Sequence, residues 1–217
     1  MSTSEAINVA LVSMLKQTFI ELLKKYSADN NLTDVLWAEI EENYTAKDRH
    51  YHTLAHLENL LDQLVTIDEK INNWEATLFA LYYHDIVYDT LRSDNEEKSA
   101  ELAVQRMKQI AVSHVTIDHC KKQILATKSH SESTESDINL FTDADLSMLG
   151  QTWESYENYY KNIRREYAIY PDVVYNEGRK KILQHFLSMP RIFKTDSFYS
   201  KYEMQARQNL QKEIEVY

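Results

Sequence analysis

The chain has 217 residues, which favours one domain with a sizeable hydrophobic core. Its formal net charge of −10 argues against a nucleic-acid-binding surface, because such a surface needs a basic face to displace counterions. With only two Gly, two Pro and one Cys, the composition excludes a disulfide framework and a Cys-rich zinc site, and it predicts an all-α fold rather than one rich in tight turns.

The N-terminal half of the chain shows helical periodicity in four segments. Apolar residues from Leu11 to Tyr26 share one face of a first predicted helix, and a second helix is predicted to begin near Thr33. Thr53 is a suitable N-cap for a third helix. A fourth, predicted at about 74–88, is apolar nearly all round, so we expect it to be the most buried.

The rest of the chain predicts six further helices, separated by polar segments and by Pro171 and Pro190. A short helix over 138–149, closed by Gly150, follows an exposed loop at 129–137. We expect residues 1–217 to form a single body, with a metal-binding core at about 48–150 and a helical extension at 151–217. The other predicted helices cover about 94–112, 116–129, 152–170, 172–188 and 197–215.

The longest apolar run, residues 76–83, is far shorter than the roughly 20 residues that a membrane span needs. The first residues show no basic region followed by an apolar one, as a signal peptide would. We therefore expect a cytoplasmic protein with no membrane partner.

Potential metal ligands are concentrated around an adjacent His84-Asp85 pair at the end of the apolar fourth segment. Polar groups in such a helix are costly to bury without partners. His56, in the first turn of its helix, and Asp145, predicted near the start of another, have the residue types to complete one site. Two imidazoles and two carboxylates suit Mn²⁺, Fe²⁺, Zn²⁺ or Co²⁺ and leave positions for water.

The order His56, His84-Asp85, Asp145 on a helical background resembles the HD-domain superfamily of metal-dependent phosphohydrolases, in particular a predicted phosphohydrolase subgroup. The resemblance covers roughly residues 48–212 and implies an HD-type helical bundle with additional N- and C-terminal helices. It also implies that these four residues bind a divalent ion (Mn, Fe, Zn, Co, Ni or Mg) and that a small phosphate ester, possibly a nucleotide, is hydrolysed by metal-activated water. The segments that carry it are 52–57, 84–89, 95–100, 143–150, 163–167, 178–179 and 206–210.

Several neighbouring residues have alternative assignments. His52 competes with His56 for the first ligand position, and Asp143 competes with Asp145 for the last. The resemblance also implies an acidic residue that assists proton transfer, for which Glu96 and Asp89 are the candidates. The residues predicted to contact the substrate, each with an ordinary structural explanation as well, are His52, His130, Arg164 and Arg179.

Two other functions are compatible with the same resemblance. Some HD proteins hold two irons and oxygenate their substrates, which requires additional histidine ligands. A non-catalytic, nucleotide-binding HD module would keep the fold without turnover. The intact set of four ligands weighs against the non-catalytic module.

Overall fold

A computed structural model describes residues 3–26 and 29–217, with side chains described from residue 14 onward in the first segment. Within those residues the protein is all-helical and contains no strand, which confirms the fold class that the composition predicts. Leu11 lies among the residues whose side chains are not described. The α-helices are Thr3–Lys24 (α1), Asn30–Tyr44 (α2), Leu54–Val65 (α3), Trp74–Tyr83 (α4), Asn95–Gln109 (α5), His114–Ala126 (α6), Ser136–Asp145 (α7), Trp153–Glu166 (α8), Asp172–Ser188 (α9) and Asp196–Ile214 (α10).

Helix α4 lies at the centre of the fold, as its apolar sequence predicts. Every residue from Ala76 to Tyr83 is buried, and the helix contacts α1, α3, α5 and α6. Tyr82 meets Phe19 of α1 edge to face, with ring centroids 4.9 Å apart, and its hydroxyl donates to the carbonyl of Leu15 at 2.9 Å. Burial of a side chain of this size contributes about 1.5–3 kcal/mol.

The predicted extension of α4 to residue 88 is wrong, because the helix ends at Tyr83. His84 and Asp85 therefore lie in the turn that follows. The guanidinium of buried Arg49 stabilises this turn: it donates to the carbonyls of Asp85 at 2.7 Å and Ile86 at 2.8 Å. A side chain from outside the helix thus satisfies carbonyls that are left without a helical partner.

Helix α7 also differs from the prediction. It spans Ser136–Asp145 and continues into a 3-10 segment, Leu146–Gly150. Asp145 is therefore the last residue of its helix and not near the start. A second 3-10 turn, Asp68–Lys70, precedes α4.

The C-terminal helices pack directly against the part of the chain that carries the predicted ligands. Helix α10 lies across the 3-10 segment 146–150, where the amide of Asn209 donates to the carbonyls of Leu149 and Gln151, both at 2.8 Å. Helix α8 ends at Glu166, whose carboxylate reaches back to residues 50–52. The extension thus helps to position the site.

Among the described residues, no helix has the length and apolar character needed to cross a bilayer.

Candidate metal centre

The structure brings the four predicted ligands together from three places in the fold. His56 lies in the first turn of α3, His84 and Asp85 follow α4, and Asp145 ends α7. Nε2 of His56 is 3.1 Å from Nε2 of His84 and 3.4 Å from Oδ1 of Asp145. Oδ2 of Asp85 is 3.1 Å from Nε2 of His84 and 3.8 Å from Nε2 of His56.

These separations fit one small cation. Two atoms that each lie about 2.1 Å from the same ion are about 3–4 Å apart in tetrahedral or octahedral coordination. Among the described residues, His56, His84 and Asp145 form a group whose ligand atoms all lie within 4.8 Å of one another. This group can hold a metal ion, and Asp85 adds a fourth oxygen beside His84.

Hydrogen bonds fix the orientation of His84. Its Nδ1 lies 3.0 Å from the carbonyl of Leu81, which can only accept, so Nδ1 carries the proton. In the neutral imidazole, Nε2 then presents a lone pair toward Nε2 of His56, 3.1 Å away. Two imidazole nitrogens this close require a proton or a cation between them. The hydrogen bond from Nδ1 of His84 to a backbone carbonyl is also typical of metal-binding histidines.

His130 supports Asp145 from the opposite side. Its Nε2 is 2.9 Å from Oδ2 of Asp145, while Oδ1 of the same carboxylate faces His56. The backbone of His130 has a φ of 50°, in the left-handed region that non-glycine residues seldom adopt, where it follows the end of α6. This conformation directs the imidazole to the carboxylate, so the strain coincides with a contact at the site.

His52 is held by a long-range carboxylate. Oε2 of Glu166 lies 2.8 Å from Nδ1 of His52, and Oε1 accepts from the N–H groups of His50, Tyr51 and His52 at 2.7–2.9 Å. Nε2 of His52 consequently faces Oδ2 of Asp85 at 3.7 Å. His52 therefore lies at the edge of the ligand group, and His56 occupies its centre.

The charges of the cluster compensate for its burial. Burial opposes the imidazolium of His84, but the carboxylates of Asp85 and Asp145 and the hydrogen bond to the Leu81 carbonyl together outweigh it and raise the pKa of His84 to about 9. Burial also opposes the charged form of Asp145, yet hydrogen bonds from His130 and His56 hold its pKa well below the usual range. For His56 burial dominates and lowers the pKa. Without metal, a proton therefore resides on His84 at neutral pH.

Asp143 has a structural role that separates it from Asp145. It is fully buried, and its carboxylate accepts from the backbone N–H groups of Lys194 at 2.9 Å and Thr195 at 2.7 Å, and from the Thr195 hydroxyl. Nζ of Lys194 lies 3.3 Å from the same carboxylate. Asp143 thus satisfies the backbone at the start of α10.

The two predicted proton-transfer residues have other partners in the structure. Asp89 is exposed, and its carboxylate accepts from the N–H of Leu91 at 2.9 Å. Oε2 of Glu96 lies 4.0 Å from Nζ of Lys128. Within the described residues, neither carboxylate comes within ion-pair distance of the histidine ligands.

The two predicted substrate arginines are occupied elsewhere. Arg179 is 7% exposed and makes a two-point ion pair with the buried carboxylate of Glu213, at 2.8 and 2.9 Å. Arg164 binds Asp172 at 2.6 Å and the carbonyls of Tyr167 and Tyr170. Both guanidinium groups serve the C-terminal helices, so neither is available to a phosphate at the ligand cluster.

Sequence reasoning assigned no role to Arg49 or Glu166, yet both organise the site. Arg49 joins the His84-Asp85 turn to the carbonyl of His52 at 3.2 Å, and Glu166 fixes the backbone of 50–52. Arg49 gives a local signal, since it lies beside a histidine-rich segment. Glu166 gives no local signal, because its partners are more than 110 residues away along the chain, although it lies in the segment 163–167 that carries the resemblance.

A cleft of about 390 Å³ opens beside the ligands, with Tyr51, His56 and Asp145 in its wall. Leu60 and Met148 supply apolar surface, and the remainder of the lining consists mainly of amides and hydroxyls. Its volume is in the range of pockets that bind small molecules.

Comparison with protein-family models, with curated proteins and with solved structures gave no significant match to this chain.

Proposed function

We propose that this chain is a metal-dependent phosphohydrolase of the HD-domain type that acts on a small phosphate ester or nucleotide. The observation that carries the proposal is the convergence of His56, His84, Asp85 and Asp145 at ligand distances, with the lone pair of His84 directed inward. A mixed nitrogen and oxygen site of this kind suits Mn, Fe, Zn, Co or Ni, with Mg as a further candidate.

A divalent ion held by these side chains would polarise a phosphoryl oxygen and lower the pKa of a coordinated water. The protein's own groups have distinct tasks in this proposal. His130 orients Asp145, and Glu166 orients His52. Nε2 of His52, free of the Glu166 contact, is placed to accept or return a proton beside Asp85.

The test combines elemental analysis of the purified protein with a phosphate-release assay in the presence of Mn²⁺, Co²⁺, Ni²⁺, Zn²⁺ or Mg²⁺. His84→Ala and Asp85→Asn should lose the bound metal and reduce phosphate release at least a hundredfold. His114→Ala, which removes an exposed histidine at the start of α6, is the matched control and should behave as the wild type. Far-UV circular dichroism of each variant separates loss of the site from loss of the fold.

The same measurements distinguish the two other functions. His52 and His130 each place an imidazole next to a ligand carboxylate, which is the observation that favours a second ion. Two irons per chain together with oxygen consumption would indicate an oxygenase in place of the phosphohydrolase. Nucleotide binding without phosphate release under every metal would instead indicate a non-catalytic module.

A further inference from the structure

The cleft beside the ligand cluster has a polar but uncharged lining on the side away from the metal ligands. Helix α3, which also carries His56, contributes two of the polar lining residues. The other four come from the 3-10 segment, from residue 151 directly after it and from α8. The six polar lining residues are Asn59, Gln63, Ser147, Gln151, Ser155 and Asn158.

Much of the hydrogen-bonding capacity of this lining is unused by the protein. Oε1 of Gln63 accepts from the hydroxyl of Tyr202 at 2.5 Å, which leaves its NH₂ group to donate elsewhere. Within the described part of the chain, the side chains of Asn59, Gln151 and Asn158 make no hydrogen bond to the protein. Each amide offers two donors and one acceptor, a combination that matches hydroxyl groups and the polar edges of a base.

Positive charge is scarce in the same place. None of the described residues that line the cleft is Lys or Arg. The amine of Lys201 contacts Oε1 of the lining residue Gln63 at 3.3 Å and lies over the ring of Tyr202. The wall contributes instead the carboxylate of Asp145, in a protein of net charge −10. A second phosphate group in this cleft would meet no ammonium or guanidinium from the lining itself, and only the amine of Lys201 beside Gln63.

We infer that the cleft binds the uncharged, hydroxyl-rich alcohol portion of a phosphomonoester, while the single phosphate lies at the ligand cluster. This inference rests on the proposed phosphohydrolase function and narrows its substrates to monophosphates of sugars, other polyols or nucleosides, as opposed to di- and triphosphates. Hydrolysis adds the OH of water to phosphorus and breaks the bond from phosphorus to the ester oxygen. The proton of the water passes to that oxygen, so the product in the cleft is a neutral alcohol.

The first experiment compares kcat/KM for three kinds of ester with the metal-loaded protein. The first kind comprises hexose and nucleoside monophosphates. The second comprises more highly charged esters, namely a hexose bisphosphate and a nucleoside triphosphate. The third is an aryl phosphate without hydroxyl groups. The hydroxylated monophosphates should exceed the more highly charged esters at least tenfold, because a site built to hydrogen-bond hydroxyls discriminates strongly. A parallel titration with the free nucleoside or hexose measures binding to the metal-free protein, independent of turnover.

A pair of matched variants tests the role of charge. Asn158→Lys places an ammonium in the cleft and should raise the relative kcat/KM for the bisphosphate and triphosphate at least fivefold. Asn162→Lys makes the same charge change one turn later on α8, outside the cleft, and should not.

The outcomes separate the two proposals. Release from the aryl phosphate, with equal rates for all hydroxylated esters and no binding of the free alcohols, overturns the inference and leaves the phosphohydrolase function intact. No release from any ester with any metal rejects the proposed function, and this inference with it.

Discussion

Asp143 and Asp145 illustrate how two residues of one type, two positions apart, serve different purposes. Asp145 directs one oxygen to His56 and the other to His130, at the centre of the ligand group. Asp143 is surrounded by donors from the start of α10, including the N–H and hydroxyl of Thr195. Each carboxylate is stabilised by its own partners, so the two should respond differently to substitution.

We expect Asp145→Asn to remove the bound metal, because a neutral amide is a weak ligand, while the fold is retained. Asp143→Asn should keep the metal but lower the free energy of unfolding by about 1–3 kcal/mol, since backbone N–H groups at Lys194 and Thr195 lose a charged acceptor. Elemental analysis and urea denaturation measure the two effects. Full metal content in Asp145→Asn would contradict the assignment.

The pKa of His84 predicts how metal binding depends on pH. Because the neighbouring carboxylates of Asp85 and Asp145 raise this pKa from 6.5 to about 9 against the effect of burial, the metal must displace a proton throughout the neutral range. Apparent affinity should therefore increase by about tenfold per pH unit between pH 6.5 and 9 and then level off.

The same pKa shift also makes the stability of the metal-free protein depend on pH. A raised pKa contributes stability that is fully present below pH 6.5 and is lost as the pH rises through about 9. Calorimetric titrations at several pH values check the affinity, and thermal unfolding of the metal-free protein checks the stability. An affinity that does not change over this range would contradict the proton on His84.

At the scale of the helices, Gly150 matters for close packing and not for a special backbone angle. Its φ is not positive, so the helix-ending role predicted from glycine's conformational freedom does not apply. A Cβ at this position would lie 2.5 Å from Cβ of Tyr202 and 2.9 Å from its Cα. Only a glycine allows α10 to cross the 3-10 segment at this distance.

Gly150→Ala should therefore destabilise the protein by about 1–3 kcal/mol, the usual cost of overpacking a core. Gly178 provides the matched control, because it lies within α9 and a Cβ there would meet nothing within 4 Å. Gly178→Ala should stabilise the protein by about 0.5–1 kcal/mol through the better helix propensity of alanine. Thermal or urea unfolding of both variants measures this, and equal effects would refute the packing explanation.

At the scale of the whole molecule, the C-terminal helices are part of the site's support. Glu166 at the end of α8 holds residues 50–52 and with them the ring of His52. Asp143, two residues before the candidate ligand Asp145, accepts from the backbone N–H of Thr195 at the start of α10. The part of the chain that carries the candidate site and the C-terminal helices therefore depend on each other.

A fragment of residues 1–150 should consequently fail to fold or to bind metal. It would expose the buried face of the 3-10 segment and leave the N–H groups of residues 50–52 without their carboxylate. Circular dichroism and metal analysis of the fragment, beside the full chain, test this expectation. A folded fragment that binds metal as tightly as the full chain would show that the extension is dispensable.

The sequence by itself determined the helical class, most helix positions and the residue types of the candidate site. Apolar spacing along the chain marks helices because each one must bury a single face, and a His-Asp pair at an apolar helix attracts attention because its burial is costly. These signals are local, or they depend on residue type alone.

Only the tertiary structure decided which carboxylate faces the ligands and where α4 ends. It also decided that Arg164 and Arg179 are committed to Asp172 and Glu213. Each of these features depends on a partner far away in the chain. In the turn after α4, for example, Arg49 donates to the carbonyls of Asp85 and Ile86. A hydrogen bond or ion pair is specific to positions in space, and spacing along the sequence carries no record of it.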